Sequence, residues 1–316
     1  MASRTGFFTD DIFLEHDTGR GHPESHLRLV SIRERLEATG YYPRLRQLER
    51  RLATVEEIGL CHDPDYVRSV DRICSVQGGG HLDGDTVVSA KSYEAAIVSA
   101  GAGLAAADRI LAGELERALL LLRPPGHHSL HDRAMGFCLF NNVAITARYL
   151  QQQGGDKFQK IAIVDWDVHH GNGTEAMFYD DPNVLFISSH QYPFFPGTGA
   201  AADRGTGKGL GATLNLPMAR GSGNSEYRRA FQDSILPALR EFRPDALLIS
   251  AGFDAHKNDP LAGIDLESSS FEWMSHSLLE FAREYCAGRL ISFLEGGYDL
   301  DALAESVEAH AAVLAG

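Results

Sequence analysis

The sequence predicts an α/β fold, a doubly wound sandwich on buried parallel strands, and three observations predict it. Apolar runs at residues 118–122 and 161–164 are short, lack a polar face and stop at Gly, Pro or Asp, as strands buried on both faces do. Helical patterns alternate with such runs along the chain, the arrangement of strands joined by crossover helices. Chemistry-bearing residues collect where the runs end: Arg123-Pro-Pro-Gly-His-His128, Ile163-Val-Asp-Trp-Asp-Val-His-His170, Asp254 after the run from Ala246, and Tyr298 after the run from Leu290. Ligands of open α/β sheets sit outside the carboxyl ends of their strands.

Taken in order, residues 6–17 hold a short strand that gives way to a polar loop, Glu15-His-Asp-Thr-Gly-Arg-Gly-His-Pro-Glu24. A helix follows over 27–39 and ends near Gly40. Thr54 with Glu57 three residues later spells a capped helix start, and His62-Asp-Pro-Asp-Tyr-Val opens the next helix. Gly78-Gly-Gly is read as a flexible turn into His81-Leu-Asp-Gly-Asp-Thr86. Ser92–Leu111 is a long Ala-rich helix; its Gly101-Ala-Gly103 lies inside the helical pattern and follows no strand, so it is not a nucleotide loop. A helix over 174–179 leads to a strand at 184–188, then to an aromatic and proline-rich loop, 190–199, of the length that often carries function. Gly205-Thr-Gly-Lys-Gly-Leu-Gly211 fails as a phosphate loop because Gly209, not Ser or Thr, follows Lys208; it reads as a mobile loop. An amphipathic helix at 226–242 and a helix at 271–285 precede the last two strands.

A length of 316 residues would by rule of thumb hold about two domains. No Pro/Ser/Gly-rich linker, charge block or repeat interrupts the pattern, and the candidate site draws on distant segments, so one domain over 1–316 is expected. A hydrophobic fraction of 44% supplies a sizeable core. The formal net charge of −14 disfavours nonspecific nucleic-acid binding, which needs basic surface, and suits a cationic substrate as well as an ordinary acidic surface. The arginines within 44–51 enclose Glu49 and read as a solvated face. Cys61, Cys74, Cys138 and Cys286 fit neither a metal knuckle nor a disulfide scaffold, which points to a reducing compartment. The first ten residues hold no apolar signal core, and no run reaches membrane-spanning length. The expectation is a cytoplasmic protein with neither nucleic acid nor membrane as partner.

Strand alternation would place Asp165, Asp167 and His169 on one face, with Trp166 and Val168 on the other. An Asp-x-His pair presents an oxygen and a nitrogen to one ion, and Asp254 from another strand end supplies a third ligand. Three protein ligands with an open position describe a catalytic zinc site. A divalent cation lowers the pKa of a water from 15.7 only to about 7, so a base must stand nearby. One of His127 and His128 can accept that proton while the other steadies developing charge, with Asp165 and Asn172 as the groups available to fix their tautomers. Tyr298, after Gly296-Gly297, can donate to the oxyanion of a tetrahedral intermediate. The chain reads as a metal-dependent hydrolase.

At these residues the sequence resembles the zinc-dependent histone deacetylase superfamily, which includes bacterial histone deacetylase-like amidohydrolases and acetylpolyamine amidohydrolases. The motifs are Arg123-Pro-Pro-Gly-His-His128, Gly136-Phe-Cys-Leu-Phe-Asn-Asn-Val143, Val164-Asp-Trp-Asp-Val-His-His-Gly-Asn-Gly-Thr174, Pro196-Gly-Thr-Gly199, Ala251-Gly-Phe-Asp254 and Glu295-Gly-Gly-Tyr298, in family order. The resemblance implies a three-layer α/β/α arginase/deacetylase-like fold with a mainly parallel central sheet. It implies zinc on Asp167, His169 and Asp254, although one His and two Asp also suit iron, cobalt or manganese. It makes His127 and His128 the tandem catalytic histidines, His128 the general base, partnered by Asp165 and Asn172 respectively, and Tyr298 the catalytic tyrosine. Asn172 in place of an aspartate is the class II pattern. Phe137 and Phe195 would line an acyl-lysine tunnel, Gly136 would offer a backbone contact and Leu261 would sit on the rim. Structural potassium is implied at oxygens of Asp165, Asp167, His169, Ser188 and Ser189.

The implied reaction is hydrolysis of an acetamide to acetate and a free amine. The substrate is an acetylated lysine peptide or a small acetylated amine such as a polyamine. Leu261, where polyamine specialists can carry an acidic residue, tilts the reading toward acyl-lysine, while Asp11, Asp17 or Asp83 could supply charge from a loop. A non-enzymatic acyl-lysine binding module is disfavoured by the intact His127, His128 and Tyr298. A dinuclear ureohydrolase is disfavoured by Ala255-His256 after Asp254. Acyl chain length and oligomeric state stay open.

Overall fold

A computed structural model describes residues 4–316 of the protein. Strands and helices alternate as expected: β1 (Thr5–Phe8), α1 (Leu27–Ala38), β2 (Arg46–Gln47), α2 (Val55–Ile58), α3 (Pro64–Ser75), β3 (Gly79–His81), β4 (Val87–Ser89), α4 (Ser92–Leu111), β5 (Arg117–Leu120), α5 (Asn142–Gly154), β6 (Ile161–Asp165), α6 (Asn172–Phe178), β7 (Val184–Gln191), β8 (Thr213–Met218), α7 (Asn224–Ala230), α8 (Leu236–Phe242), β9 (Ala246–Ala251), α9 (Ser268–Tyr285), β10 (Leu290–Leu294) and α10 (Leu300–Ala315). Among the described residues eight strands form one sheet in the order β2-β1-β5-β10-β9-β6-β7-β8, and all of its strand pairings are parallel.

Every residue of β5, β6, β9 and β10 is buried. That is why these strands read as unbroken apolar runs: helices cover both faces and leave no position for a solvated side chain. One layer joins α1, α10 and α9, and another joins α4 to α5. A Leu or Ile withdrawn from water in such a sheet contributes about 1.5–3 kcal/mol. The expected local signals are present. Thr54 Oγ1 accepts from Glu57 N at 3.2 Å while Thr54 N donates to Glu57 Oε2 at 2.8 Å, a complete capping box. Asp63 caps α3, its Oδ1 accepting from Asp65 N at 2.7 Å, with Pro64 in the first turn.

The structure departs from the sequence reading in several places. Gly79–His81 is not only a turn but a strand, paired antiparallel with Val87–Ser89. The 226–242 helix is split by a π-helical segment at Phe231–Ile235. Strand β8 went unread because Pro217 speaks against a strand interior; it is tolerated here because β8 is an edge strand. Helices α5 and α10 also went unread. The first follows an Asn-Asn pair that looks like loop until Asn141 Oδ1 is seen to cap Ala144 N at 3.0 Å; the second is dominated by alanine, which carries little periodic contrast. Among the described residues no helix is long and apolar enough to cross a membrane. The four cysteines are buried and free.

Candidate active site and metal centre

The loops that follow β5, β6, β7, β9 and β10 meet over the carboxyl edge of the sheet. Strand β6 ends at Asp165, so Asp167 and His169 lie beyond it and strand alternation is not what aligns them. Their side chains converge because each carboxylate folds back on the chain: Asp165 Oδ1 accepts from Asp167 N at 3.0 Å, and Asp167 Oδ1 from His169 N at 2.9 Å. Local side-chain-to-backbone bonds of this kind replace the ladder where a strand stops. Asp254, from the loop after β9, closes the group, its Oδ1 accepting from Val168 N at 2.8 Å.

Asp167, His169 and Asp254 are buried and offer ligand atoms that all lie within 4.8 Å of one another. His169 Nδ1 stands 3.2 Å from Asp167 Oδ1 and 3.1 Å from Asp254 Oδ2. Gly296 N donates to Asp167 Oδ2 at 2.8 Å, and a Cβ at Gly296 would stand 2.1 Å from Asp254 Oδ2, so only glycine lets this backbone so close. Burial, then the neighbouring Asp167, pushes the Asp254 carboxyl up to about 7. Burial works against charge on His169, but Asp167 and Asp254 outweigh it and lift the imidazole to about 10. Two carboxylates forced together away from water, with one imidazole between them, form a site that a divalent cation neutralises. The donor set of one nitrogen and two carboxylates fits zinc.

The tandem histidines are held by different partners. His127 Nδ1 lies 2.9 Å from Asp165 Oδ2, and His128 Nδ1 lies 2.7 Å from Asn172 Oδ1. Asn172 Nδ2 in turn meets Met135 Sδ at 3.4 Å. Burial opposes charge on His127, yet Asp167 and Asp165 raise it to about 10. For His128, burial and then the charges of His127 and His169 hold the imidazole well below its ordinary value. The pair thus combines a ring favoured as a cation with one favoured as neutral. Glu295 supports the turn from beneath, its Oε2 accepting from Gly126 N at 2.7 Å and from His127 N at 3.2 Å. His127, Cys138 and Glu295 also cluster within 4.8 Å. That carboxylate is committed to backbone amides, and Cys138 Sγ donates to Gly136 O.

A cavity of about 200 Å³ leads down to His128, His169 and Tyr298 and is walled by Gly136, Phe137, Phe194, Phe195, Leu261 and Asp85. All four residues expected in a tunnel line it. Phe137 N donates to Thr86 Oγ1 at 3.1 Å, which fixes that wall to the β3–β4 hairpin loop. Phe194 stacks on the His169 ring with centroids 5.6 Å apart. Phe195 stays 39% exposed, at the mouth. Arg28 lies over the Tyr298 ring, 5.1 Å from its centroid, and burial, then Asp254, keeps the phenol well above its ordinary value and hence protonated. Ser188 pairs in register with Asp165; its hydroxyl contacts His190 Nδ1 at 2.9 Å, and the buried Ser189 hydroxyl has no hydrogen-bond partner among the described residues.

Sequence reasoning missed Asp85, Phe194, Met135, Arg28 and Asp259. Phe194 had a signal, its place beside Phe195. The others had none: Arg28 looks like any helix-face arginine until its Nη2 reaches Glu295 O at 2.5 Å, 267 positions away.

The chain as a whole is similar to known proteins. The histone deacetylase domain matches residues 22–314. The chain is 38% identical to a probable deacetylase of Archaeoglobus fulgidus, covering 94% of this chain and 82% of the relative. It is 39% identical to a histone deacetylase-like amidohydrolase of Pseudomonas aeruginosa, with the same coverage of 94% and 82%. Identity to the chloroplastic histone deacetylase 14 of Arabidopsis thaliana is 39%, over 90% of this chain and 71% of that one. The crystal structure of the HDA15 HD domain superimposes with a TM-score of 0.94 at 37% identity, covering 99% of this chain and 90% of that chain.

Proposed function

The chain belongs to the histone deacetylase family, and from that premise we propose that it is a zinc-dependent deacetylase acting on acetylated lysine side chains. The observation that carries the reading is the meeting of His169, from the Asp167, His169 and Asp254 cluster, with His128, one of two differently partnered histidines, and the Tyr298 phenol at the floor of one apolar cavity.

Asp167, His169 and Asp254 would hold the ion. When bound it polarises the amide carbonyl and acidifies water near neutral pH. The chain's own groups do the rest. Asn172 Oδ1 can only accept, so His128 carries its proton on Nδ1 and presents a bare Nε2, the lone pair that takes the proton from the attacking water. His127, held as a cation by Asp165, steadies negative charge as it develops. Tyr298 donates its hydroxyl hydrogen to the oxyanion, a contribution of about 3–4 kcal/mol where such donors have been removed. A protonated histidine then returns the proton to the leaving amine. Phe137 and Phe195 flank the linear alkyl chain, Gly136 keeps the wall thin, and Leu261 sets the rim. Structural potassium at Asp165, Asp167, His169, Ser188 and Ser189 belongs to the same proposal.

Asp85 favours a second reading, an acetylated polyamine, because an exposed carboxylate on the cavity wall suits a cationic chain. A panel of acetyl-lysine peptides and acetylated polyamines, read as kcat/KM for release of free amine, separates the two. Peptides favoured over polyamines supports the lysine reading, and the reverse preference replaces it. No turnover of either class by zinc-loaded protein would sink the enzyme assignment.

A further inference from the structure

We propose that Asp259 is a positioning residue that clamps Tyr298 in its inward orientation and ties that orientation to the rim of the cavity. Tyr298 follows Gly296 and Gly297, and Gly297 adopts φ +123°, so the turn carrying the phenol has little conformational preference of its own. Its orientation is set by what holds the backbone. On the carbonyl side Arg28 donates from Nε to Gly297 O at 2.7 Å and from Nη2 to Glu295 O at 2.5 Å. On the amide side Asp259 Oδ2 accepts from Tyr298 N at 2.7 Å.

The second oxygen of the same carboxylate is also committed. Asp259 Oδ1 accepts from Leu261 N at 2.9 Å, and the residue is fixed in its own loop by Asp259 N donating to His256 O at 2.9 Å. Asp259 is buried, 7% exposed, so these bonds are shielded from competing water. Both of its backbone partners belong to residues that line the cavity, Tyr298 at the floor and Leu261 at the rim. Two acceptors are required, one for each N–H; an asparagine offers only one. The loop after β9 supplies the Asp254 ligand as well, so the clamp fixes the phenol relative to the metal ligands, where a displacement of about 1 Å costs about 10²-fold in rate.

This inference rests on the deacetylase reading for its kinetic test but not for its structural one. The kinetic test is a double-mutant cycle on an acetyl-lysine peptide. Asp259→Asn should lower kcat by roughly 10- to 100-fold with KM changed by no more than about threefold. In a Tyr298→Phe background the same substitution should cost no more than about twofold, because the group it positions is gone. Equal losses in both backgrounds would overturn the clamp and leave Asp259 a general support of the fold. Metal content and melting temperature of each variant are measured alongside.

The structural test needs no variant. In the unmodified protein the Tyr298 amide should be strongly protected from hydrogen exchange, and Asp259→Ala should release it while amides of β9 and β10 stay protected. Fast exchange in the unmodified protein would refute the clamp, whatever the catalytic assays show. Absence of turnover with a protected amide would refute the deacetylase reading and leave the clamp standing.

Discussion

His128 leans on an amide: its Nδ1 lies 2.7 Å from Oδ1 of Asn172. An amide fixes the tautomer without adding negative charge, so burial and the nearby charge of His127 keep the ring neutral. A base must be neutral to act, and activity should fall only at pH values below that depressed pKa. Asn172→Asp places a carboxylate there and stabilises the imidazolium. The acid limb of the kcat/KM profile should then move to higher pH. An acid limb that stays in place, or moves down, would remove His128 from the role of base.

Metal binding should release protons. Before the ion binds, His169 is raised to about 10 by Asp167 and Asp254 against the effect of burial, so at pH 7 its Nδ1 holds a proton that the ion must displace. Burial and Asp167 hold the Asp254 carboxyl at about 7, so it is partly protonated too, and zinc added to metal-free protein at that pH should liberate between about one and two protons per site, read by calorimetry in buffers of different ionisation enthalpy. An enthalpy independent of buffer contradicts the ligand assignment.

Gly136 gives a steric prediction. Its φ is +55°, and an added Cβ would stand 2.5 Å from His128 Cδ2. Gly136→Ala must therefore strain its own backbone and push the base aside. We expect about 10²-fold loss of kcat/KM, with metal content retained. Near-normal activity would show that the base tolerates displacement.

Beneath the site, Glu24 is chelated by Arg123, whose Nε and Nη2 donate at 2.5 and 2.9 Å, and is met by Arg28 Nη1 at 3.1 Å. Burial alone would raise this carboxyl, but Arg123 and then Arg28 pull it far below the usual range. Its contribution is present above about pH 4.3, the ordinary glutamate value, and is lost as pH falls further. Glu24→Gln leaves the guanidiniums short of countercharge and should cost about 3–5 kcal/mol, with a lower melting temperature near neutral pH. The gap to the unmodified protein should narrow below about pH 4. A constant gap would assign the loss to packing.

How much of this could be read in advance follows from where each residue sits. His127, His128, Asp165, Asp167, His169, Asp254 and Tyr298 were legible because parallel strands deliver their carboxyl ends to one edge, so a residue just past an apolar run is already placed. Asp167 and His169 were expected to share a face by strand alternation, but they lie beyond the end of β6, and carboxylate bonds to the next amides turn them inward. Phe137, Phe195, Gly136 and Leu261 rested on resemblance, and the cavity contains all four. Asp259 and Arg28 were illegible. Each acts on a backbone brought close only by folding, and neither has a local pattern to distinguish it from a loop aspartate or a surface arginine.

The most direct measurement of the central claim is acetate release from an acetyl-lysine peptide by protein stripped of metal, then restored with one equivalent of zinc, in the unmodified chain and in Tyr298→Phe. The account predicts no release without metal, full recovery with zinc, and recovery reduced by about 10²–10³-fold in the phenylalanine variant. Release that persists in metal-free protein, or that is indifferent to Tyr298, would contradict it.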